Sequence, residues 1–114
     1  MIKIGKVKIS QDETPKLISE ISGNHGGSLS NAIKLIKLAA KNGTDLIKLQ
    51  TYDPNNLTLN SSRPEFIIKD KKNLWRKKKL YDLYLKGQTL REWHYKIFEE
   101  ARKHNIDCFS SVFD

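Results

Sequence analysis

The span from Lys16 to Thr51 reads as strand, glycine-rich turn, helix and strand, and no other feature of the sequence constrains the fold as tightly. Lys16–Ser22 (KLISEIS) reads as a strand that runs into the turn GNHGGS. Leu29–Asn42 carries apolar residues at 29, 33, 36 and 39/40, the spacing of one buried helical stripe. Ser28 or Ser30 can cap its start, and Gly43 stands where a C′ glycine belongs. Asp45–Thr51 (DLIKLQT) reads as a second strand. A unit of this size is one βαβ crossover, which makes the two strands parallel neighbours.

The rhythm then returns. Residues 52–79 form a long irregular loop, and loops of that length are usually functional or disordered. Lys79–Lys86 predicts one or two helical turns with Leu80, Leu83 and Tyr84 inward, ended by Gly87. Thr89 and Glu92 have capping-box spacing for a helix reaching about Lys103. Leu90, Trp93, Ile97, Phe98 and Ala101 lie on its expected buried stripe. Ile106–Val112 reads as a third strand. Ahead of all this, residues 1–10 predict a short β-hairpin, with Ile2, Ile4, Val7 and Ile9 set among Lys3, Lys6 and Lys8.

Three parallel strands and two main helices make an unfinished sheet. Parallel sheets are covered on both faces, and two helices cannot do that for three strands. The sheet edges stay open as well. A (β/α)8 barrel needs about 250 residues. Either the chain oligomerises or it is the N-terminal part of something larger, and of such a barrel it would be about the first third. The expected fold is α/β: the first three β/α units of a TIM (β/α)8 barrel, incomplete and preceded by the hairpin. Residues 1–114 as a whole are expected to be the N-terminal part of that one domain.

Composition removes several classes. Lys and Arg number 21 against 13 Asp and Glu, a formal charge of +8. Residues 69–79 (KDKKNLWRKKK) alone carry +6, so the rest is nearly neutral. Seventeen of the cations are Lys, whereas sequence-specific nucleic-acid readers lean on the planar fork of Arg. The run reads first as a solvated surface loop, and nucleic acid is not the expected partner. Trp75 within it could stack on a base or anchor the loop to the core. No apolar run is long enough to span a membrane, and the N-terminus lacks the apolar stretch of a signal peptide. Cys108 is the only cysteine, so no intrachain disulfide forms, and a cytoplasmic location is expected.

Candidate site residues follow from strand alternation. Ile18, Glu20 and Ser22 share one face, as do Leu46, Lys48 and Gln50, and Phe109 and Ser111. Glu20, Lys48, Gln50 and Ser111 fall toward the C-terminal ends of their strands, where α/β folds build sites. Lys48, flanked by Ile47 and Leu49, is expected to be buried and so to need an anion, either Glu20 alone or a ligand. Asn24 and His25 lie in a glycine-rich turn of a kind that can cradle phosphate. His25 reads equally as a base, a metal ligand or a turn residue. His94 and His104 read as structural, and Cys108 as a buried strand residue. No His or Cys set has ligand spacing, so no metal site complete within this chain is expected.

The motifs SEISGNHGGSL, DLIKLQTY and CFSSVFD, in that order, resemble the first three strand signatures of the sialic acid synthase (N-acetylneuraminate synthase) family. LTLNSS, FIIKDKKNLWRKKKLYDLY and TLREWH between them are similar to its pseudaminic acid synthase branch. The sequence departs from that branch at Gly26 (usually Asn), at Lys77–Lys79 (where a Gly is usual), at Leu90–Arg91 (Pro-Trp) and at Val112 (Pro).

The resemblance implies a TIM-barrel enzyme that condenses phosphoenolpyruvate with an amino-sugar aldehyde, releasing phosphate and using a divalent metal, Mn or Mg. It implies a homodimer. It assigns Glu20 as the catalytic carboxylate, Lys48 to the phosphoenolpyruvate anion, Gln50 to the sugar and Ser111 to phosphoenolpyruvate, with Asn24 and His25 in the binding loop. Attack by C3 of phosphoenolpyruvate on an aldehyde develops an alkoxide and an oxocarbenium. A cation to neutralise the substrate and a carboxylate to handle protons are therefore the expected side chains. Later strands would bring the metal ligands, so this chain alone is expected to be inactive and poorly protected from hydrogen exchange. The alternative is a small basic α/β module that binds nucleic acid or an acidic partner. A third reading keeps the ancestry and leaves the chain a non-catalytic, dimerising role.

Overall fold

The computed structural model describes residues 1–113. An antiparallel hairpin comes first, β1 (Ile2–Ile4) and β2 (Val7–Ile9). Gly5 turns it with φ +56 and lies so close to Asp107 that a Cβ there would collide with the carboxylate. The Lys6 backbone N–H donates to Asp107 Oδ2 (2.6 Å) and its Nζ donates to Asn105 Oδ1 (2.9 Å). These bonds fasten the hairpin to the start of the last strand. The hairpin's apolar face is only partly covered, with Ile2 exposed and Ile4, Val7 and Ile9 half-buried.

The main sheet is parallel, in the order β3 (Ile18–Glu20), β4 (Leu46–Thr51) and β5 (Asp107–Val112). Its register is Ile18↔Leu46↔Asp107 and Glu20↔Lys48↔Phe109, with Gln50 beside Ser111. β3 is shorter than the sequence suggests. Ile21 still donates to Lys48 O (2.9 Å), but Ser22 takes a left-handed φ of 48 and ends the strand.

Helix α1 (Leu29–Lys41) joins β3 to β4. Ser28 caps it, its hydroxyl accepting from the Asn31 N–H (3.3 Å), and Gly43 follows it with φ +80. Both end signals are therefore used as expected. Helix α4 (His94–Lys103) packs beside α1 and leads into β5. Ala32 and Ile36 of α1, Ile97 and Ala101 of α4, and Ile21, Ile47 and Leu49 from the strand side form the buried core. Trp93 and Phe98 pack against it. Along β4 the side chains of 47, 49 and 51 face the helices while 48 and 50 face away, a period of two.

Three expectations are corrected. Thr89 and Glu92 do not form a capping box. A 3-10 turn (Arg91–Trp93) precedes α4 and neither start has a side-chain cap. The Thr89 hydroxyl is buried and committed instead to the His25 ring. Lys48 is not buried: its side chain is 29% exposed, although Leu46, two residues earlier on the same face of β4, is fully buried. The long loop is not structureless. It holds α2 (Pro54–Leu57), capped by Asp53, and a 3-10 turn (Pro64–Phe66). Its lysine segment is pinched shut by Ile68 N–H to Lys78 O (3.0 Å) and Lys77 N–H to Ile68 O (2.8 Å). Helix α3 (Leu80–Gly87) follows, with Leu80, Leu83 and Tyr84 half-buried.

Candidate active site at the strand ends

Parallel pairing places residues of equal register side by side, so the alternation in the sequence becomes a cluster in space. The Glu20 carboxylate is its hub. Gln50 Nε2 donates to Oε1 (2.7 Å), Ser22 Oγ donates to the same oxygen (3.2 Å), and Lys48 Nζ stands 3.4 Å from Oε2. Ser111 is held beside Gln50 by the β4–β5 register. The neighbouring Ser110 hydroxyl points the other way, to Thr51 Oγ1 (2.6 Å) and the Ser111 carbonyl (2.9 Å). Glu20 and Lys48 are both partly open to solvent, at 38% and 29% of their side chains. In that setting the pair is worth at most about 1 kcal/mol, so it leaves the ammonium available to an incoming anion.

The turn after β3 is built differently from its strands. His25 is fully buried and both ring nitrogens are engaged. The Gly27 N–H donates to Nδ1 (3.1 Å), which places the proton on Nε2, and Nε2 then donates to Thr89 Oγ1 (3.1 Å). Trp93 packs edge-on at 5.4 Å between ring centroids. Burial lowers the His25 pKa below its ordinary value. The ring is thus a neutral strut that ties the loop to the segment before α4, and it presents no free nitrogen to a ligand. Asn24, its neighbour, is exposed and lines the cavity between this turn, the end of β4 and α3.

Tyr52, just beyond β4, donates from its hydroxyl to Tyr84 O (3.2 Å). Burial and the nearby Tyr84 raise its pKa, so it stays a phenol. Tyr84 and Phe113 meet the Tyr52 ring edge-on at 5.9 and 6.1 Å, an aromatic row over the ends of β4 and β5. Sequence reasoning placed Tyr84 inward on its helix but named neither tyrosine as a site residue. The only signal for Tyr52 was an aromatic directly after a strand end.

His94 and His104 take structural places. His94 Nδ1 contacts Arg91 O (2.8 Å) and its Nε2 contacts Thr51 Oγ1 (2.8 Å), while His104 lies 3.2 Å from Glu100 Oε1. Cys108 is half-buried in β5, and burial pushes its thiol up to about 12. Among the described residues, no three His, Cys, Asp or Glu side chains converge as a metal site, and no helix is long and apolar enough to cross a membrane.

The profile of the NeuB family matches residues 35–114. The chain belongs to the NeuB family. Across 102 residues this NeuB-family chain is 53% identical to a pseudaminic acid synthase of Campylobacter jejuni, a match covering 90% of the chain and 29% of that relative. It is 44% identical over 101 residues to the pseudaminic acid synthase of Helicobacter pylori, covering 89% of the chain and again 29% of the relative. The fold matches the crystal structure of N-acetylneuraminic acid (sialic acid) synthetase from Leptospira borgpetersenii serovar Hardjo-bovis in complex with citrate. That match has a TM-score of 0.76 and 25% identity over 99% of this chain and 34% of that one. The chain thus spans under a third of the length of the curated relatives it matches.

Proposed function

We propose that the chain is the N-terminal part of a synthase that joins phosphoenolpyruvate to an N-acetylated amino-sugar aldehyde, giving a nine-carbon sialic-acid-like sugar and phosphate. In this reading residues 1–113 supply the first three β/α units of a (β/α)8 barrel. The observation that carries it is the Glu20 cluster: a carboxylate, an ammonium and an amide within hydrogen-bond or ion-pair distance, partly open to solvent, at the C-terminal ends of parallel strands. The relatives named as pseudaminic acid synthases support the reaction class. The relative named N,N'-diacetyllegionaminic acid synthase, 32% identical over 103 residues, supports an acetylated sugar.

The residues divide the work by charge. Lys48 exchanges Glu20 for the phosphoenolpyruvate anion and neutralises it. Glu20, released, moves a proton at the aldehyde or at the attacking water. Gln50 orients the sugar, and Ser111 adds a hydroxyl donor to the phosphoenolpyruvate side. His25 sets the shape of the loop that carries Ser22 and Asn24. Among the described residues no three His, Cys, Asp or Glu side chains converge, so the donors present do not by themselves fit the divalent metal implied by the family resemblance.

Phosphoenolpyruvate titrated into the chain tests this. Losing one charged hydrogen-bond partner costs about 1.5–3 kcal/mol, so Lys48→Met weakens binding about tenfold or more. Glu20→Gln should keep it. Equal binding by Lys48→Met and the unaltered chain refutes the assignment.

A further inference from the structure

The lysine segment, residues 69–79, takes no part in the Glu20 cluster, and its backbone is tied into a fixed loop. Ile67 and Lys79 bridge antiparallel at its neck, where Ile68 also exchanges hydrogen bonds with Lys77 (2.8 Å) and Lys78 (3.0 Å). Two side chains set the turns beyond the neck. Asp70 Oδ1 accepts from the Lys72 N–H and Asn73 Oδ1 accepts from the Trp75 N–H, both at 2.9 Å. The shape of the loop is thus fixed before anything binds to it, which lowers the entropy cost of binding.

Two features stand together on this loop. Leu74 is 94% exposed, the most open large apolar side chain among the described residues, and Trp75 beside it is 51% exposed. On either side of the pair, Lys69, Lys71, Lys72, Arg76, Lys77 and Lys78 are exposed. None of these six has a carboxylate at ion-pair distance among the described residues, whereas Lys79 is paired with Asp82 (3.4 Å). Asp70 is the one acid within the segment, so its charge is +6.

A loop that only met solvent would gain nothing from an open leucine, which keeps apolar surface in water. Unpaired like charges held on one short loop repel, and an anionic surface relieves them. Nucleic acid would supply the charge but offers an aliphatic side chain nothing to enter. Six of the seven cations are Lys, without the planar fork that reads bases and phosphates. An anionic bilayer satisfies both features. Its headgroups attract clustered lysines, its acyl boundary takes leucine, and tryptophan is enriched at that interface. We infer that the 69–79 loop docks the protein on an anionic membrane surface, with Leu74 and Trp75 entering the headgroup region between the lysines. This is a contact with the surface, not a span, and it does not depend on the synthase reading.

Co-sedimentation of the chain with vesicles of equal parts phosphatidylcholine and phosphatidylglycerol tests this. The chain should pellet with these vesicles, stay in solution with phosphatidylcholine alone, and be released by raised salt. Leu74→Ser keeps every charge and should weaken partitioning about tenfold. Lys71→Gln combined with Lys72→Gln should weaken it about tenfold or more. All three side chains are exposed, so circular dichroism should be unchanged. Brominated phosphatidylcholine in the anionic vesicles should quench Trp75, and Trp75→Phe should abolish the quenching, because Trp93 packs against the core. Equal partitioning by Leu74→Ser overturns the inference, as does pelleting without quenching, which would mean adsorption by charge alone. Quenching that survives Trp75→Phe would mean that an unfolded chain binds, and it also overturns the inference. Tighter binding to duplex DNA than to the vesicles, unchanged by Leu74→Ser, would make the loop a nucleic-acid surface instead.

Discussion

His25 makes the fold sensitive to mild acid, and the structure sets the size of the effect. Its imidazole has no solvent exposure, Nδ1 accepts from Gly27 and Nε2 donates to Thr89. A second proton on Nδ1 would face the Gly27 N–H, donor against donor, inside an apolar surround that includes Trp93. The folded pKa is therefore held below that of the unfolded chain, about 6.5. Between those two values the unfolded state binds more protons, so stability falls as the pH falls. It is fully present above the unfolded pKa and declines on acidification until the folded group itself protonates. The slope reaches at most about 1.4 kcal/mol per pH unit. Going from pH 7.5 to 5.5 then removes up to about 1.4 kcal/mol, roughly three-quarters of it below 6.5. Urea unfolding of the chain and of His25→Gln at both pH values isolates this term, since other groups contribute to both proteins. His25→Gln should be less stable at pH 7.5 by about 2 kcal/mol, having lost ring packing and one or two hydrogen bonds. It should also lose less stability between the two pH values. A variant with the same pH dependence as the unaltered chain would refute the argument.

Two further outcomes are expected. Cys108, half-buried with its thiol pushed up to about 12, should resist iodoacetamide at pH 8 in the folded chain and react once urea unfolds it. Mass spectrometry reads the difference, and rapid alkylation of folded protein would contradict it. Asp107→Ala should free the hairpin by removing the acceptor of the Lys6 N–H, a loss of about 1 kcal/mol at this exposed site. Faster amide exchange confined to residues 2–9 would show it, whereas unchanged exchange there would mean that the hairpin is held by other contacts.

Much of the fold was legible from local signals. The Ser28 cap, the Gly43 stop and the apolar stripe at 29, 33 and 36 act within one helix, so no tertiary knowledge was needed to place α1. Period-two alternation put Lys48 and Gln50 on one face of β4, and parallel register then brought both to Glu20. The capping-box reading of Thr89 failed because its hydroxyl oxygen, which would have accepted from a helix N–H, accepts from a distant donor instead. His25, 64 residues away, holds that hydroxyl. Lys48 was expected to be buried because α/β strands usually have two covers, and here the cover on its face reaches Leu46 but leaves Lys48 29% exposed.

The sequence by itself determined the order of the strands and main helices, both ends of α1, and which strand residues share a face. These depend on spacing, on capping chemistry and on backbone period, all of which act over a few residues. Only the tertiary structure decided what lies across the chain from what. It made His25 a buried neutral strut, brought Asp107 under the hairpin, and set Trp75 against Tyr52 and Tyr84 around one cavity. Those pairings join residues far apart in sequence, and what selects them is the competition of buried groups for partners and of apolar rings for cover.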